Sequence, residues 1–351
     1  MRNAQYRRLL RRDDGDDELN CGDGGGADTF FGLRVASVFI ILVGSMFGAL
    51  FPVLARRSKW LKVPTSVYDF AKYFGSGVII ATAFIHLLDP AIEELGSPCL
   101  DPKWGDYPYA LAFALLSIFS IFIVEIIAFR WGSAKLASIG ASHDPHGHGL
   151  GGHASHGPET ANQAVDEEKL RDDSASVLVH NPTGFVVDSA ATKILGIAIL
   201  EFGVLLHSVL IGLTLAVDED FKVLFVVIVF HQTFEGLGVG SRLAYMDLPR
   251  KYSYVPIIGA LLYGITTPIG IAVGLGIRST YNPESTTASI VSGILDAISA
   301  GILIYTGLVE LLAHEFLFNK EMMDGSNGKL IYAIGCMLFG CGIMALLGKW
   351  A

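Results

Sequence analysis

His231 and Glu235 stand four residues apart in a stretch, Val223 to Gly240, that carries no other charged side chain. Residues i and i+4 share one face of a helix, so an imidazole and a carboxylate can address one cation there. That pair suits Zn²⁺ or Fe²⁺. His207 lies in the middle of a second apolar stretch, joined to the first by a short connection around Asp218. Helices so joined are antiparallel neighbours, which lets His207 and His231 meet near the middle of both. A lone histidine in an apolar helix ordinarily makes an interhelical hydrogen bond. Two at matched depth, one with a carboxylate a turn away, point instead to a shared cation. Ser208 and Gln232 directly follow the two histidines and can supply a weak oxygen ligand or hydrogen bonds that orient the rings.

Other ionisable residues interrupt apolar stretches. His86 and Asp89 are i and i+3 and read as an entrance relay. Glu201 is six residues before His207, roughly 600° around a helix, so it faces away from His207 as a separate, gate-side group. Glu310 and His314 are again i and i+4. They read either as a release site or as interfacial residues reaching for water. Glu125 and Asp296 are single carboxylates with no partner evident in the sequence.

The elements that must hold these groups follow from composition. The chain has 351 residues, 52% hydrophobic and 17% charged, against roughly 25% charged in soluble domains; mean hydropathy is +0.50. The formal net charge of −9 offers no basic surface to a phosphate backbone, so nucleic acid is excluded as a partner. Windows of about 20 apolar residues, enough to cross the hydrocarbon, fall near 33–55, 70–90, 108–130, 190–217, 223–243, 253–277, 288–313 and 330–349. The fold class is therefore an all-α polytopic membrane protein with eight transmembrane helices. Charges at bilayer depth cost several kcal/mol, which is why the interrupting residues are functional candidates. Glycines in spans five and six, with Pro256 and Pro268, suit either helices that slide or bend, or static close packing.

The polar start of the chain does not fit a cleaved signal peptide. Arg56, Arg57, Lys59 and Lys62 crowd the first loop and Arg242, Arg250 and Lys251 the fifth, while Glu93, Glu94, Asp101 and Asp106 lie in the second. Positive charge marks the cytoplasmic side, so odd loops are inside and both termini outside. Arg2, Arg7, Arg8, Arg11 and Arg12 run against that rule, about 20 residues from the first span and thus at the edge of its reach. The chain divides into an extracellular tail (1–32), helices one to three (33–130), a cytoplasmic flexible loop (131–189) and helices four to eight (190–351). Cys21 and Cys99 then share the outer compartment, where a bridge between them can persist; two free thiols are the alternative. Cys336 and Cys341 read as small apolar residues of the last span. His143, His146, His148, His153 and His156 stud the loop among Gly, Ser and Pro. They read as a cytosolic metal-sensing or metal-receiving segment or as a plain solvated linker.

The motifs His207-Ser-Val-Leu-Ile-Gly212, His231-Gln-Thr-Phe-Glu235-Gly236 and Phe84-Ile-His86-Leu-Leu88, with eight spans and the histidine-rich third loop, resemble the ZIP family of divalent-metal transporters, closest to its fungal and plant zinc and iron importers. The resemblance covers about residue 30 to 351. It implies a 3+2+3 helical bundle with pseudo-symmetric triplets, a metal site between spans four and five, a homodimer, and movement of metal into the cytosol by alternating access, one helix group sliding against another. By position, His207, His231 and Glu235 fall on primary ligands, while Ser208, Ile211 and Gln232 fall where some members hold a second metal with Asn, Glu and Asp. An apolar Ile211 cannot bind a cation, so the resemblance implies a mononuclear site. The expected cargo is Zn²⁺, with Fe²⁺, Mn²⁺ and Cd²⁺ as further candidates, no cofactor is required, and the expected location is the plasma membrane. Two other readings are an intramembrane zinc hydrolase, which lacks support because no His-Glu-x-x-His motif exists, and a metal-sensing receptor.

Overall fold

The computed structural model describes residues 21, 29–58, 63–138, 182–246, 248, 250–283 and 285–350. The five loop histidines, most of the tail and the middle of the loop, 139–181, lie outside them. In lipid every backbone polar group must be satisfied within the segment, and the described chain answers with eight helices long and apolar enough to cross a membrane. They are α1 (Phe31–Arg57), α2 (Thr65–Leu95), α3 (Tyr109–Ser138), α4 (Pro182–Val217), α5 (Phe221–Ala244), α6 (Val255–Ile277), α7 (Thr286–Leu317) and α8 (Asn327–Leu347). The third and fourth run into the segment 131–189 from both sides, ending at Ser138 and starting at Pro182. Ser285 and Ser326 cap α7 and α8, their hydroxyls accepting from the amides of Ala288 and Lys329, which satisfies donors the first turn leaves free.

Two helices change winding midway. Thr82–Leu88 in α2 and Gly307–Leu317 in α7 are π-helical, with hydrogen bonds from i to i+5 and more residues per turn. His86 lies in the first of these and Glu310, His314 and Glu315 in the second. The wider winding alters which residues share a face. His86 is buried while Asp89, three residues on, is exposed.

Packing sorts the spans into two groups. In one, α1 packs on α5 and α6, and α4 on α6; in the other, α2 packs on α8 and α7, and α3 on α7. The short connection does make α4 and α5 neighbours, yet their main partners are α6 and α1. The groups meet where α2 lies on α5 and α4 on α7. At the first crossing a Cβ on Gly75 would stand 2.1 Å from the Cα of Gly238, so the two backbones touch as only small residues permit.

Two features tie chain segments together at the ends of the helices. Cys21 and Cys99 form a disulfide with Cα atoms 5.2 Å apart. Arg34, fully buried, donates from Nη1 to the Leu215 carbonyl at 3.1 Å, from Nη2 to the Asp218 carbonyl at 2.6 Å and from Nε to the Thr29 carbonyl at 2.7 Å. Its guanidinium also lies 4.5 Å from the Phe221 ring centroid. One side chain thus satisfies carbonyls at the end of α4, favourable for a cation, and joins α1 to the α4–α5 turn. Burial raises the carboxyl of Asp218 in that turn above its ordinary range, opposed in part by Arg34.

Candidate metal centre

The i, i+4 spacing on α5 brings His231 and Glu235 to one face, with Nε2 and Oε2 3.9 Å apart. α4 sets His207 against them, its ring centroid 5.5 Å from that of His231. One ligand atom from each of His207, His231 and Glu235 lies within 4.8 Å of the others. All three are buried, at 2%, 1% and 0% exposure. Both His207 nitrogens, His231 Nε2 and Glu235 Oε1 have no hydrogen-bond partner among the described residues. Buried polar atoms are nearly always paired, and leaving one unpaired costs about 1–3 kcal/mol. Three such side chains converging on one point form a donor set for a cation. Around a tetrahedral zinc with bonds near 2.0–2.2 Å, donors stand roughly 3.4 Å apart, so a modest contraction suffices.

Ser208 and Gln232 flank this set, both buried, their side-chain polar atoms also unpartnered among the described residues. Ile211 instead packs into the apolar cluster with Leu215, Phe221 and Ile228. Tyr263 of α6 supports α5 from behind: its buried hydroxyl donates to the Gln232 carbonyl at 2.7 Å and lies 3.3 Å from Glu235 Oε2.

Two residues from the other helix group reach the same place. The His86 ring stands edge-on to His231 with centroids 4.8 Å apart, its Nε2 3.0 Å from the Met344 carbonyl. Asp296 of α7 places Oδ1 3.8 Å from His207 Nδ1. Sequence reasoning found no partner for Asp296 and set His86 apart as a relay, because periodicity speaks only of neighbours on one helix. Glu201 points elsewhere, against α6, where a Cβ on Gly259 would come within 2.2 Å of its Oε1; glycine makes the room.

The remaining ionisable residues gather at the far end. Glu125 accepts from the Tyr305 hydroxyl at 2.6 Å. Lys72 pairs with Glu315, and Arg242 interacts electrostatically with Glu315 and Glu310. His314 is exposed. Lys72 and Glu315 were passed over in the sequence, and Arg242, counted there with the fifth loop, occupies the last turn of α5.

Comparison with known proteins agrees with this layout. A model of the family described as "ZIP Zinc transporter" matches residues 31–348. The chain is 41% identical to Zinc-regulated transporter 1 of Schizosaccharomyces pombe, covering 99% of this chain and 93% of that one. It is 43% identical to Zinc-regulated transporter 1 of Saccharomyces cerevisiae over 91% and 88%, and 35% identical to Zinc transporter 9 of Oryza sativa subsp. japonica over 91% and 89%. A family of carriers leaves no place for the hydrolase reading. With the match running from the first span to the last, the chain is an integral membrane protein of the ZIP zinc transporter family.

Proposed function

We propose that the protein imports Zn²⁺ into the cytosol by alternating access through a site formed by His207, His231 and Glu235, with Ser208 and Gln232 bracing the histidines. The observation that carries this reading is the convergence of three buried side chains, all with unpartnered ligand atoms, halfway along the apolar spans Ala198–Val217 and Phe221–Ala244. Two neutral imidazoles and one carboxylate match the donor preference of zinc. Ile211 supports a mononuclear site, since its apolar side chain is committed to packing.

His86, edge-on to His231, hands the cation in from the outer side, with exposed Asp89 ahead of it. Glu201 of α4, lying against Gly259 of α6, is the gate-side group, and Glu310 and His314 receive the cation at the inner end. His143, His146, His148, His153 and His156 then take it up in the cytosol. The lysines and arginines of the first and fifth loops support this orientation. So does the Cys21–Cys99 disulfide, a bond of oxidising compartments, which puts tail and second loop on one outer face and suits a plasma-membrane protein with both termini outside. A second copy of the chain is the expected partner.

Competitive uptake of Zn²⁺, Fe²⁺, Mn²⁺ and Cd²⁺ into proteoliposomes tests the proposal. Wild type takes up zinc preferentially; His231→Ala and Glu235→Ala do not. Normal uptake by both variants would refute the site, and equal uptake of all four metals would replace a zinc importer by a broad divalent-metal carrier.

A further inference from the structure

We infer that Asp296 of α7 is a fourth ligand of the transported metal, binding it together with His207, His231 and Glu235. This rests on the reading of those three as the metal site. Asp296 is 8% exposed, and its Oδ1 stands 3.8 Å from His207 Nδ1. That is too long for a direct hydrogen bond. It matches the 3.9 Å between His231 Nε2 and Glu235 Oε2, and both separations are close to the spacing of two donors on one zinc, about 3.4 Å. His207 Nδ1 has no hydrogen-bond partner among the described residues, so neither an orienting bond nor another acceptor claims the atom that faces Asp296.

Charge points the same way. Two neutral imidazoles and Glu235 leave a net single positive charge on bound Zn²⁺ deep in an apolar bundle, where uncompensated charge is costly. A second carboxylate brings the cluster to neutrality. It also completes the four-coordinate set that zinc favours. Asp296 belongs to α7 and the other three ligands to α4 and α5, which lie in different packing groups. The cation therefore bridges the two groups, and release of Asp296 has to precede any movement of one against the other.

The test uses the full-length protein in detergent, titrated with Zn²⁺, Mn²⁺ and Co²⁺, with Glu235→Ala as reference. Asp296→Asn is expected to weaken zinc binding by about 10- to 100-fold. It should weaken Mn²⁺ binding more, because a carboxylate oxygen matters most to the harder cation, while Asp296→Glu keeps most of the affinity. Asp296→Cys, loaded with Co²⁺, should show a thiolate-to-cobalt charge-transfer absorption that wild type lacks, and it reports ligation even if the Asn variant does not fold. No such band, with zinc affinity unchanged in Asp296→Asn, overturns the inference while leaving the three-residue site intact. An equal loss for every metal in Asn and Glu variants, again without the band, also overturns it, in favour of a His207–Asp296 ion pair that never touches metal. Failure of wild type to bind zinc, or undiminished binding by Glu235→Ala, refutes the site itself.

Discussion

The middle of the bundle and the end that carries Lys72 and Arg242 use nearly the same residue types to opposite effect. At the middle, His207, His231 and Glu235 converge, with Asp296 3.8 Å from His207, and among the described residues no lysine or arginine pairs with them. At the far end, Glu315 is held by Lys72 and by Asn319, whose Nδ2 donates at 3.3 Å. There Glu125 is held by Tyr305, and Glu310 lies within electrostatic reach of Arg242. What separates a site for a cation from a structural charge cluster is thus the inventory of partners. Carboxylates already served by the protein's own cations have little left for a metal. Those facing imidazoles with no cationic side chain beside them have a use for one.

The largest expected effect breaks the first half of this contrast. Glu235→Ala or His231→Ala reduces zinc uptake to the level of empty liposomes, a loss of at least about 100-fold, since ligands should matter more than the outer partners whose removal costs 10- to 100-fold. Retained uptake would mean that orphaned donors do not mark the site.

The next breaks the second half. Arg242→Met removes a cation within electrostatic reach of Glu310 and Glu315 and should lower stability by about 1–3 kcal/mol, measured by thermal unfolding in detergent. Arg242 is on α5 and the two glutamates it interacts with electrostatically are on α7, in the other helix group. Zinc transport rate should change along with stability while zinc affinity at the central site stays. An altered affinity would show that the two regions are one continuous site.

These contrasts were only partly legible in the sequence. The bilayer allows a spanning chain few options, so apolar windows located all eight helices, and i, i+4 spacing found His231 with Glu235 because both lie on one regular helix. The same logic did not see where winding changes: nothing in the residues around His86 or Glu310 announces a π segment. It was blind across helices, where Asp296 meets His207 and Tyr305 meets Glu125. Arg34 escaped because it lies at the edge of an apolar window, where a charge looks like the start of a loop; its role depends on carbonyls of residues far away in sequence. The Cys21–Cys99 bridge was open to reading because loop charges placed both cysteines on one side.

A smaller effect sharpens the contrast at the centre. Ser208→Ala and Gln232→Ala remove groups beside the histidines without touching Glu235. Each should weaken zinc binding by about tenfold or less. Isothermal titration across the two variants and Glu235→Ala then grades the site from ligand to neighbour, and a loss in Gln232→Ala as large as in Glu235→Ala would move Gln232 into the ligand set.

The smallest effect comes from Lys72→Gln. Lys72 and Glu315 are both partly solvent-accessible, with side-chain exposures of 20% and 15%, and pairs of that kind contribute about 0–1 kcal/mol. Both residues lie in the same helix group, Lys72 on α2 and Glu315 on α7, so losing the pair does not loosen one group from the other. Stability should fall by at most about 1 kcal/mol, the difference from wild type should shrink in 1 M salt, where the screening length is about 3 Å, and zinc uptake should be unchanged. Arg242→Met and Lys72→Gln remove one positive charge each from one cluster, Arg242 acting between the two groups and Lys72 partly exposed within one of them. If both slowed uptake equally, net charge rather than its position between the groups would govern the inner end.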